Sequence, residues 1–177
     1  MSSSVAFFRN LNLGQRRSHS PTRHELLDAF ERAGARHATS FQVNGTVIFV
    51  SDGDAQALAE EVVRLLTPVC GYTDAVIARP VPWLLALELD TGPHAEVSFF
   101  DGPEEFPEPL PWAAPGAGLT VVRADALHAV SLDDVDRTSG ATWVLERRLG
   151  MPVTSRGVPT VLRLQARLES LVPTIED

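Results

Sequence analysis

The chain reads as α+β: a ferredoxin-like β-α-β-β-α-β unit over residues 1–79, packed against a second α+β half over 80–177. Three observations predict it. Apolar runs of strand length alternate with stretches of helical periodicity through the first half. Asn44-Gly45, the strongest short hairpin signal, sits between two β-rich runs. The second half repeats the mixture around a proline-rich acidic stretch, residues 102–117.

Taken in order, residues 4–9 form a buried strand that ends in a polar loop. Residues 22–34 place Leu26, Leu27, Phe30 and Ala33 on one helical face. Thr22 with Glu25 three residues on is a capping box, and Gly34 is the stop. Residues 37–42 and 46–51 are strands joined through Val43-Asn44-Gly45. Asp54 to Cys70 is a second helix with Leu58, Val62, Leu65, Leu66 and Val69 on its apolar face, closed by Gly71. Residues 73–79 complete the unit as a fourth strand, so two helices should cover one face of a four-stranded antiparallel sheet.

In the second half, residues 81–89 predict a short helix and 94–101 a strand. Residues 102–117 hold five prolines and three glutamates and read as a mobile surface loop rather than a dimer seam. Strands follow around a tight turn near Ala124–Asp125. Helices over 139–150 and 159–170 complete the half, the second with Pro159 in its first turn, where no N–H is needed.

The net charge of −8 argues against a general nucleic-acid or membrane-surface binder. All 15 basic residues are arginine. Cys70 stands alone, so no intrachain disulfide forms, and its place in an apolar helix suggests a buried, inert thiol. The start, MSSSVAFF, has no basic segment before its apolar residues, and no run approaches the roughly 18 apolar residues of a membrane span. A cytoplasmic protein is expected.

The motifs resemble those of the family of mostly bacterial proteins catalogued as domain of unknown function 1697. Its opening strand leads into an Arg-Gly-Ile-Asn-Val-Gly-Gly-like loop; here Arg9, Asn12, Leu13 and Gly14 match, and Asn10 and Gln15 replace glycines. Its Ser-Gly-Asn mark before an apolar strand is represented by Gly45 and the strand up to Phe49. Its Thr-Thr-Arg-Asn-Trp-Asn-Thr-like stretch keeps Thr154, Arg156 and Thr160, with Gly157, Val158 and Pro159 replacing the Asn, Trp and Asn. The chain is similar to a divergent member. The resemblance implies paired ferredoxin-like units and no particular activity.

Two segments are candidate anion seats. The first is the opening loop, with Arg9, Asn12, Gly14, Arg16 and Arg17 before a helix N-terminus, where N–H groups and guanidinium groups favour negative charge. The second is Thr154, Ser155 and Arg156 before the last helix. The two are expected to converge, because the family's strongest marks fall in them. Against this stand blander readings, a solvated loop whose arginines pair with acids and an ordinary helix cap. The sequence carries no phosphate-loop or dinucleotide motif. The five histidines lack metal-ligand spacing, so neither metal nor cofactor is expected. Residues 133–136, DDVD, lack the rest of a calcium loop. The tryptophans Trp83, Trp112 and Trp143 read as packing residues. The reading is therefore a protein binding a small phosphate- or carboxylate-bearing ligand. The alternatives are an enzyme using His19 or His24 as acid or base at the same pocket, and a nucleic-acid binder, which the charge disfavours.

Overall fold

The computed structural model describes residues 1–89, 94–133 and 140–175, the side chains of 172–175 excepted. It divides into two compact units, Met1–Ala86 and Leu87–Asp177. The first unit runs β1 (Ser2–Phe8), α1 (Arg23–Arg32), β2 (Arg36–Phe41), β3 (Thr46–Ser51), α2 (Ala55–Cys70), β4 (Val76–Pro80) and α3 (Val81–Leu85). Its sheet has the order β2-β3-β1-β4 with every neighbouring pair antiparallel. The β-α-β-β-α-β succession is thus the one the periodicities predict. The short helix α3 goes with this unit and lies against β1 and β4.

Strand alternation explains the core. Ala6 and Phe8 of β1, Val47 and Phe49 of β3, and Val76 and Ala78 of β4 project to one side of the sheet. There they meet Leu26, Ala29 and Phe30 of α1 and Ala59, Val62 and Leu66 of α2 in one buried cluster. Phe30 is its centre, with ring centroids 6.0 Å from Phe8 and 5.1 Å from Phe49. Each such ring contributes about 1.5–3 kcal/mol through burial. On α2 the buried line is Ala59-Val62-Leu66, with Leu58 and Leu65 packed at its margin. Val69, expected on that face, is 43% exposed. The apolar stripe ends one turn before the helix does.

The termini behave as their sequences dictate. Thr22 and Glu25 form the complete capping box of α1, Asp54 caps α2 through the Ala57 N–H at 2.9 Å, and Gly71 ends α2 at φ 82°. The hairpin differs from the expected Asn-Gly turn. Phe41 pairs with Thr46, so residues 42–45 form a four-residue connection with Gln42 (φ 60°) and Gly45 (φ 66°) in the left-handed region, and Asn44 outside it. Gly45 is demanded by space as well: a Cβ there would lie 2.9 Å from Leu11 Cβ.

The second unit contains β5 (Ala95–Phe99), β6 (Trp112–Ala114), β7 (Leu119–Ala124), β8 (His128–Asp133), α4 (Ala141–Leu149), β9 (Thr154–Gly157) and α5 (Val158–Ile175). The strands form an antiparallel sheet in the order β6-β7-β8-β5-β9. Leu119, Val121 and Ala129 of the sheet bury against Ala141, Val144 and Leu145 of α4. Helix α5 lies against β5 and β9. Two expectations are corrected. The proline-rich stretch is not loop throughout, because Trp112–Ala114 pairs with β7 and its Phe106 packs 5.9 Å from Trp112. Thr154–Gly157 is not a helix-capping loop but an edge strand, with Val97 opposite Arg156. Of DDVD, Asp133 ends β8, and residues 134–136 lie outside the described residues.

Candidate functional site

The opening loop is held by bonds to residues far along the chain. Arg9 donates from Nη1 to both carboxylate oxygens of Asp74, at 3.1 and 2.9 Å, and Asn10 donates to the same carboxylate at 2.9 Å. The Tyr72 hydroxyl donates to the Arg9 carbonyl at 2.6 Å. Asn10 adopts φ 53°, a conformation asparagine tolerates better than most residues. Beyond it, the Asn12 N–H donates to Ser20 Oγ and the Gly14 N–H to the Pro21 carbonyl, folding the loop back on itself. Gly14 has φ 81° and open space around it.

The loop then makes a short 3-10 turn, Arg16–Ser18. Arg16 pairs with Glu25, the same carboxylate that caps α1. Arg17 is exposed and has no ion pair or hydrogen bond among the described residues. His19 is pinned across the chain: its Nδ1 donates to the Cys70 carbonyl at 3.3 Å, and its ring fills the space a Cβ on Gly71 would occupy. Cys70 is half-buried rather than buried, its thiol donating to the Leu66 carbonyl at 3.5 Å.

His24 does not point back into this loop's hydrogen-bond network. It lines a cleft of about 410 Å³ between α1 and β2 with Asp28, Glu31, Arg36 and His37. His37 is held at φ 52° at the irregularity between Arg36 and Thr39 in the β2–β3 register. Among the described residues no group of three or more His, Cys, Asp or Glu is placed to hold a metal ion.

Thr154 and Arg156 lie in the other unit. Arg156 donates from Nη1 to Thr154 Oγ1 at 2.9 Å and to the Ser155 carbonyl at 2.8 Å. Ser155 Oγ accepts from Thr142 at 2.8 Å and lies 2.7 Å from Ser98 Oγ. This is a hydroxyl cluster joining α4 to the sheet. Two of the tryptophans expected as packing residues do more than pack. Trp112 and Trp143 line a cleft on the second unit together with Arg147. The four-residue spacing of Trp143 and Arg147, one helical turn, was its only sequence signal.

The fold and these clefts define an α+β protein of two units, each built on an antiparallel sheet with helices. Residues 1–88 match the model of the family described as Protein of unknown function (DUF1697), so the resemblance read from the opening motifs is shown over that stretch. Among curated proteins none matches. The structure is similar to that of a conserved bacterial protein from Streptococcus pneumoniae, with a TM-score of 0.60 at 11% identity, covering 96% of this chain and 99% of that one. At that identity the likeness is one of fold. No helix among the described residues is long and apolar enough to cross a membrane.

Proposed function

We propose that the chain binds a small phosphate- or carboxylate-bearing ligand at its opening loop. The observation that carries this is Arg17, exposed and uncompensated among the described residues, on a turn whose neighbours are locked in place. Arg9 is held by Asp74, so it anchors the loop. Arg16 is half-exposed and can exchange Glu25 for a ligand anion at little cost, since a surface pair is worth about 0–1 kcal/mol. Asn12 and Gly14 lie exposed in the same loop. Thr154 and Arg156 are a second candidate seat on the other unit, to be tested separately. A cytoplasmic, bacterial setting belongs to the same proposal.

The test is a thermal-shift series with inorganic phosphate, sugar phosphates and dicarboxylates. A ligand that binds the folded state raises Tm. The rise is expected with one of these anions and should vanish in Arg17→Ala, with Arg156→Ala showing whether the second seat contributes. If no anion raises Tm, or if Arg17→Ala responds as the parent does, the loop is a structural tie and the proposal fails. An acid–base reading is favoured only by the cleft that holds His24 beside Asp28, Glu31 and His37. A pH-dependent turnover abolished by His24→Gln would establish it.

A further inference from the structure

We propose that the second unit carries a separate binding site for a small planar anion, an aromatic ring bearing a carboxylate or phosphate. The site is the cleft of about 360 Å³ between β6 and α4. That volume lies within the range of small-molecule sites, which are mostly apolar with a few placed polar groups.

Three features select the ligand chemistry. The first is a pair of indoles lining one cleft. Trp143 is 56% exposed, an unusual position for so large an apolar surface, and Trp112 is half-buried against Phe106. Ala114, Pro115, Ala117 and Val144 supply the rest of the apolar lining. The second feature is that Trp143 is seated rather than loose. A Cβ on Gly140 would lie 2.7 Å from Trp143 Nε1, so the indole packs over the start of its own helix only because that residue is glycine.

The third feature is charge. Arg148 is already engaged, donating from Nε to Glu108 at 2.6 Å and from Nη2 to the Pro107 carbonyl at 3.3 Å. Arg147, in the same lining, is exposed and meets no acid among the described residues. A cation in the last turn also complements the negative end of the helix dipole, which accounts for its sign. It does not account for two indoles beside it. Aromatic faces accept a flat ring by stacking, and a lone guanidinium accepts a carboxylate or phosphate through paired N–H donors.

The test is calorimetric titration of the full chain with benzoate and with adenosine monophosphate, alongside adenosine and inorganic phosphate as half-ligands. Saturable binding of at least one planar anion is expected, tighter than either half-ligand. Which of the two binds separates a carboxylate ligand from a nucleotide. Trp143→Ala and Arg147→Gln, both at exposed positions, should each weaken binding by about tenfold or more, the scale of one stacked ring or one charge-assisted contact. Two results overturn the proposal: neither planar anion binds, or binding survives either substitution.

Discussion

Glu25 shows how much one side chain can be asked to do. Its Oε2 accepts the N–H and hydroxyl of Thr22, closing the cap of α1, while Oε1 meets Arg16 of the loop. The Thr22 backbone N–H holds its carboxyl below the usual range against the opposing pull of burial, and Arg16 adds to the lowering. A carboxyl whose folded pKa is depressed stabilises the fold while it is ionised. That contribution is complete above the unfolded pKa and is lost as pH falls through the folded one. Glu25→Gln should therefore lower Tm at neutral pH, and the gap to the parent should close in acid. Thr22→Ala, which removes the hydroxyl partner, should cost about 1 kcal/mol in urea denaturation. Asp125 follows the same sign: burial raises its pKa, but the N–H groups of Leu127 and His128 outweigh that and fasten the turn between β7 and β8. Asp74→Asn removes the anion shared by Arg9 and Asn10. Because both partners are partly exposed, we expect a loss of about 1–2 kcal/mol, measured by denaturation.

Among the elements, α2 offers the cleanest contrast between stripe and margin. Leu66 is fully buried in the first core, whereas Val69, three residues on, is 43% exposed. Leu66→Ala should cost about 2–5 kcal/mol, and Val69→Ala should stay within about 0.5 kcal/mol. Equal effects of the two substitutions would contradict the packing described. The end of the same helix is doubly constrained at Gly71. Its φ of 82° disfavours any side chain, and a Cβ would strike His19 Nδ1 at 2.7 Å. Gly71→Ala should lower stability by at least about 1 kcal/mol and displace the His19 ring, visible as a shift of its imidazole NMR signals.

For the molecule as a whole, the arginines of the opening loop sit on a protein of net charge −8. Attraction of an anion to Arg17 is therefore local, and distant acids oppose it. Screening acts on both effects, and at close range the attraction dominates. The Tm rise produced by a bound anion should shrink as salt increases from 0.01 M, where the Debye length is about 30 Å, to 0.15 M, where it is about 8 Å. A rise that is insensitive to salt would point to a buried ligand site elsewhere.

The residues that close local structure were legible in the sequence. Thr22 with Glu25, Asp54, Gly71 and the periodicities of the first 80 residues act over three or four positions, so the first unit's order of elements follows from neighbours alone. What folding alone decided are partnerships over long separations. Arg9 finds Asp74 across 65 residues, and Thr154–Gly157 becomes a strand because β5, nearly 60 residues earlier, offers an open edge. Trp112 pairs into the sheet through β7, which brings it to Trp143 and Arg147. A short polar segment has no period of its own that distinguishes strand from loop. The unpaired backbone of a neighbouring strand supplies the hydrogen bonds that make the choice, and only the closed fold sets that strand beside it.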